Sequence, residues 1–129
     1  MTRTDLIRQY YAAWLQDDLE AVLALCTEDL VAVNVPIGPI RGKQAVRAFL
    51  TKFGRGMQQK HYVIERILES GDYATVEGVE QYVKDSKAVS LPYLSSFRFR
   101  GDKIAEWRDY FDLQTVLRQL GLPLDGAKP

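Results

Sequence analysis

The chain has 129 residues, 47% hydrophobic and 26% charged, the balance of an ordinary globular domain with one core. Lys plus Arg and Asp plus Glu both count 17, so no cationic excess favours nucleic acid as a partner. One cysteine excludes an intrachain disulfide, and one Cys with one His leaves no zinc-ligand spacing.

No apolar run is long enough to span a membrane. The opening residues, Met1-Thr2-Arg3-Thr4-Asp5, lack the apolar stretch of a secretory signal, so a cytoplasmic setting is expected. Thr4 can cap a first helix, with Asp5 in its first turn. Leu6, Ile7, Tyr10, Tyr11 and Trp14 recur at helical spacing and form its apolar face. Asp17 and Asp18 interrupt the pattern and can cap a second helix with Leu19, Val22, Leu23 and Cys26 inside. Cys26 reads as a buried, inert thiol rather than a nucleophile. Thr27-Glu28-Asp29 reads as a turn, Leu30–Val35 as a strand, and Pro36, Gly38 and Pro39 as an irregular loop. Gly42 leads into a third helix with Ala45, Val46, Phe49 and Leu50 on its apolar face, ended by Gly54 and Gly56.

The period then changes. Strands are expected over His61–Glu69, Tyr73–Val83, Val89–Arg100 and Ile104–Asp112, joined by turns at Ser70-Gly71-Asp72, Lys84-Asp85-Ser86 and Gly101-Asp102. A last helix covers Leu113–Leu120 and stops at Gly121. Residues 1–125 read as one domain and 126–129 as a frayed tail. Helices followed by consecutive strands indicate an α+β fold with a largely antiparallel sheet. Helices on one side of a long, bent sheet leave a cavity between the layers.

Strand alternation then selects candidates. Ala105, Trp107, Asp109 and Phe111 share the more apolar face of the last strand. A carboxylate there has two roles open to it. It can be a poised acid–base group whose pKa burial raises, or a satisfied core acid that fixes packing. Ala74, Val76, Gly78, Glu80 and Tyr82 share a face one hairpin earlier. Glu80 is thus either a second inward carboxylate or a surface acid, and Gly78 permits a bulge or the close approach of a ligand. Asn34, in Val33-Asn34-Val35-Pro36, can hold a water or substrate oxygen, or simply satisfy loop backbone. Tyr11, Trp14, Tyr93 and Phe97 can wall a pocket or be plain core.

The block Trp107-Arg108-Asp109-Tyr110-Phe111-Asp112 resembles the last strand of the limonene epoxide hydrolases and the wider SnoaL-like group. That group shares the cone-shaped nuclear-transport-factor-2-like fold, and Asn34-Val35-Pro36-Ile37-Gly38-Pro39 before Gly42 resembles its Asn-containing loop. The resemblance implies a curved, largely antiparallel sheet packed against N-terminal helices around an apolar pocket. It implies that Asp109 activates water, that Asn34 helps it, and that Glu80 stands where the family has its acidic Asp. The family's Arg falls on Gly78 and its Tyr on Ala32, so both are missing here. The substrate-binding set expected with them is Tyr11, Trp14, Gly78, Tyr82, Tyr93, Trp107 and Phe111.

The expected function is therefore binding of a small apolar molecule by an enzyme that needs no cofactor. It would work by acid–base chemistry, either as an epoxide hydrolase or as an isomerase or cyclase. The alternative is a non-catalytic module that binds a hydrophobic ligand or another protein on the same fold. The resemblance also implies a homodimer through the outer face of the sheet, with Phe99 and Tyr110 in the interface.

Overall fold

The computed structural model describes residues 1–124, so the expected domain end at residue 125 and the tail at 126–129 lie outside the described residues. In chain order the elements are α1 (Arg3–Leu15), α2 (Leu19–Ala24), β1 (Cys26–Asn34), β2 (Gly38–Arg41), α3 (Lys43–Gly54), β3 (Met57–Ser70), β4 (Tyr73–Lys84), β5 (Lys87–Arg100), β6 (Lys103–Tyr110) and α4 (Leu113–Leu120). The six strands form one open sheet in the order β2-β1-β6-β5-β4-β3. Every neighbouring pair is antiparallel except β1 with β6. The fold is mixed α+β, as expected, with the helices that open the chain packed on the inner face of the sheet.

Helix α1 begins two residues earlier than the expected cap at Thr4. Thr2 is its cap: the Thr2 hydroxyl accepts from the Asp5 N–H at 3.0 Å, and Asp5 accepts from the Thr2 N–H at 2.9 Å. This reciprocal pair satisfies two otherwise orphaned donors. Thr4 is left free to bind Glu69 on β3, through its N–H at 3.0 Å and its hydroxyl at 2.5 Å. Leu6, Ile7, Tyr11 and Trp14 form the buried face of α1 as the spacing predicts.

Four other expectations shift. Cys26 opens β1 rather than closing α2, though it is buried, and burial pushes its thiol up to about 12. Thr27-Glu28-Asp29 lies inside β1 and not in a turn, in the irregular stretch between Cys26 and Val31, the two residues whose pairing with β6 brackets it. Gly38 and Pro39 are in β2 and not in a loop. β2 is an edge strand, where a proline costs no ladder bond. Phe99, expected outside, is buried, because it shares a pleat side with Phe97 and stacks on it at 6.4 Å. Tyr110 is exposed and stands opposite Leu94.

Pro92 sits inside β5, yet β6 stops at Tyr110, opposite Leu94, so β5 has only one strand partner there. Its bare edge beyond that point is taken by α4. Gln119 accepts from the Ser90 N–H at 2.7 Å and donates to the Ser90 carbonyl at 3.0 Å, completing the ladder with a side-chain amide.

Candidate active site

Alternation along β6 turns Trp107 and Asp109 inward and Arg108 and Tyr110 outward. Ser95 is the direct partner of Asp109 in the β5–β6 ladder, and its hydroxyl donates to Asp109 Oδ1 at 2.5 Å. On the other flank, the parallel β1–β6 pairing sets Asn34 beside Asp109. The Val35 N–H donates to the Asp109 carbonyl at 3.0 Å and fixes that register.

Glu80 is turned inward from β4 and is not a surface acid. Tyr62, its partner across the β3–β4 ladder, donates its hydroxyl to Glu80 Oε2 at 2.7 Å. On β5, Leu91 pairs with Glu80 and Ser95 stands opposite Val76. The two carboxylates therefore approach the interior from different levels of the sheet, with Tyr93 between those levels.

All three candidates, Asp109, Glu80 and Asn34, line one cavity of about 260 Å³. This is at the small end of ligand sites, which run from roughly 300 to 1,000 Å³. Its walls are Tyr10, Tyr11 and Trp14 of α1, Phe49, Leu50 and Phe53 of α3, and the sheet residues Tyr62, Tyr82, Leu91, Tyr93 and Trp107. Phe111, just beyond β6, and Leu113, Val116 and Leu120 of α4 complete the wall. Among the described residues no Lys, Arg or His lines it. The ammonium groups of Lys60 and Lys84 sit over the Trp14 and Phe53 rings and are bound to backbone carbonyls.

That surrounding sets the electrostatics. Burial pushes Asp109 up to about 6, against the opposing hydrogen bond from Ser95. Burial pushes Glu80 up to about 7, opposed by the Tyr62 hydrogen bond and reinforced by the charge of Asp109. Tyr10, Tyr11 and Tyr62 are raised well above the ordinary phenol value, chiefly by burial, so they are neutral donors at any physiological pH. Tyr93 is raised to about 12. Its hydroxyl lies near that of Tyr11, but among the described residues no hydrogen bond of ordinary geometry reaches it. Among the described residues no group of three His, Cys, Asp or Glu side chains could hold a metal ion.

Of the expected ligand-contacting residues, Tyr11, Trp14, Tyr82, Tyr93, Trp107 and Phe111 line the cavity. Gly78 does not. A Cβ there would stand 2.1 Å from the Val63 carbonyl oxygen, so the missing side chain makes room for the β3 backbone and not for a ligand. The β3–β4 register changes between Ile64 and Arg66, opposite this glycine. Ala32 lines the cavity and brings no hydroxyl. Tyr62 and Ser95 were missed as partners of the carboxylates. Ser95 shares a strand face with Tyr93 and Phe97, so alternation marks it as inward, but only the register shows which acid it meets.

A family model described as the SnoaL-like domain matches residues 7–107, well over half of the chain. The chain belongs to the SnoaL-like family. Solved structures similar to this SnoaL-like chain share its fold along nearly the whole length. One is a hypothetical protein with a ketosteroid isomerase-like fold from Catenulispora acidiphila, in complex with trimethylamine; it is 26% identical, with a TM-score of 0.84 and 96% of this chain and 98% of that one covered. A putative polyketide cyclase from Pseudomonas putida is 26% identical, with a TM-score of 0.85 and coverage of 92% and 98%. An LEH-like epoxide hydrolase from M. tuberculosis is 25% identical, with a TM-score of 0.78 and coverage of 91% and 90%. The SnoaL-like domain here thus has the nuclear-transport-factor-2-like architecture.

Proposed function

We propose that this SnoaL-like protein is an acid–base enzyme acting, without a cofactor, on a small, largely apolar molecule that carries a carbonyl oxygen. One observation carries the reading: two carboxylates face one aromatic cavity in which no described residue offers either of them a cation. Burial raises both pKa values, and the charge of Asp109 raises that of Glu80 further, so Asp109 is the first of the pair to ionise and Glu80 the one to keep its proton. A base and an acid then stand ready in one site.

In this reading Asp109 removes a proton from the carbon next to the carbonyl, and Glu80 hydrogen-bonds or protonates the oxygen as the enol forms. In a β,γ-unsaturated ketone, return of the proton from Asp109 to the γ carbon, with the enol proton going back to Glu80, gives the conjugated isomer. In a dicarbonyl, attack of the enol carbon on the second carbonyl forms a ring as the enol proton returns to Glu80 and the new alkoxide takes the proton held by Asp109. Only these two groups and a shaped apolar wall are needed. The likeness to a polyketide cyclase supports this class of reaction.

Epoxide opening is the second reading, and the adjacency of Asn34 to Asp109 favours it. Asp109 would take a proton from water as the water oxygen attacks carbon, and Glu80 would protonate the departing epoxide oxygen to give a diol. It ranks second because Ala32 brings no hydroxyl to hold a water, and Gly78, where the resemblance places the family's arginine, packs on the β3 backbone and brings no guanidinium to the site.

α-Tetralone in deuterated buffer tests the first reading, and cyclohexene oxide in isotopically labelled water tests the second. The expected result is α-deuteration above the buffer rate that Asp109→Asn abolishes. If the protein binds both probes but incorporates neither label, it is a hydrophobic-ligand binder and the catalytic reading falls.

A further inference from the structure

The cavity has an unusual pairing of contents: many aromatic rings, two carboxyl groups and, among the described residues, no cationic side chain in its lining. Buried carboxylates normally have a partner of opposite charge, because taking an unpaired charge out of water is costly. Here Glu80 has only a phenol and Asp109 only a hydroxyl. The inner rings of Tyr10, Tyr11, Tyr62, Tyr93 and Trp107 offer faces and edges to whatever enters. An aromatic face attracts a cation within about 6 Å of its centre, most strongly where water is excluded.

We infer that the cavity discriminates ligands by charge: it admits a small organic ammonium ion, held by aromatic rings and facing Glu80 and Asp109, and it excludes organic anions of the same size. The inference uses the cavity of the proposed function but none of its chemistry. A bound ammonium supplies the missing counter-charge and favours the ionised form of both acids. The titratable groups facing the two acids are Tyr62 from β3, Tyr82 from β4, Tyr93 from β5, and Tyr10 and Tyr11 from α1. All are phenols with raised pKa values, so among the described residues that line the cavity the two acids are the groups that change charge between about pH 5 and 8.

Three probes of matched shape separate the possibilities: benzyltrimethylammonium, neopentylbenzene and phenylmethanesulfonate. Trp14 and Trp107 line the cavity, so intrinsic fluorescence reports occupancy. At about pH 8 the ammonium should bind at least roughly tenfold more tightly than the sulfonate. Its affinity should fall roughly tenfold or more towards pH 5 as the acids take up protons, while that of neopentylbenzene stays constant. Glu80→Gln and Asp109→Asn each keep their hydrogen bond from Tyr62 or Ser95, and each should reduce the pH response. Equal affinity of ammonium and sulfonate, or an ammonium affinity indifferent to pH, overturns the inference. Label incorporation is not read here, so a protein that turns nothing over can still satisfy this test, and an active enzyme can fail it.

Discussion

The Tyr62 hydroxyl donates to Glu80 across directly paired positions of β3 and β4, at 2.7 Å. Because that bond stabilises the carboxylate, it holds the Glu80 pKa below where burial alone would put it. Tyr62→Phe should therefore move the Glu80 titration upward and cost about 1–2 kcal/mol of stability. Tyr93→Phe removes a hydroxyl that has no hydrogen-bond partner among the described residues, and should change stability by less than about 0.5 kcal/mol. Urea melts of the two variants, run side by side, check the contrast.

Activity on a carbonyl substrate requires Asp109 ionised and Glu80 protonated. The profile of kcat/KM against pH should be bell-shaped, rising through about 6 and falling through about 7. These limbs belong to the interacting pair. Glu80→Gln should flatten the alkaline limb at reduced rate, and Tyr62→Phe should shift it to higher pH. An alkaline limb unchanged in both variants would remove Glu80 from the mechanism.

Stability should depend on the same two groups. Each binds its proton more tightly in the folded protein than in the unfolded chain, where carboxyls titrate near 4. Their contribution is fully present below that value and is lost as pH rises through about 6 for Asp109 and 7 for Glu80. The loss is of order 2–3 kcal/mol for each group. Asp109→Asn keeps an acceptor for Ser95 but never ionises, so it should flatten its part of this decline. Denaturant titrations at about pH 5 and pH 8 measure the difference.

Gly78→Ala should be severely destabilising for a surface-to-volume change of one methyl. The added carbon would meet the Val63 carbonyl at 2.1 Å, and the obstacle is backbone rather than a movable side chain. A loss of about 2–4 kcal/mol is expected, with the bulge of β3 displaced. Amide-exchange protection along β3 and β4 would show where the ladder gives way.

The two-residue rhythm of β6 sufficed to turn Asp109, Trp107 and Phe111 to one side, and that of β4 did the same for Glu80 and Tyr82. Rhythm says which way a side chain points, but not what it meets. That Tyr62 faces Glu80 and Ser95 faces Asp109 depends on ladder register, which the bulges in β3 and the turns between strands determine. That Asn34 lies beside Asp109 depends on a parallel pairing between strands far apart in the chain, which no local pattern encodes. Gly78 shows the opposite failure: its smallness was legible, but whether backbone or ligand fills the space is a property of the neighbouring strand. The cap at Thr2 was missed because Thr4 presents the same chemistry two residues later.

The parallel pairing of β1 with β6 also governs when the site can come into being. Asn34 leaves the ribosome with the first strand, and Asp109 only with the last, after β2, α3 and the hairpins of β3–β5 have been made. A contact of such high sequence separation forms late and limits the folding rate. A nascent chain that has emerged only as far as β5 therefore exposes an unfinished aromatic hollow and an unpaired inner strand, the kind of surface on which chaperones act.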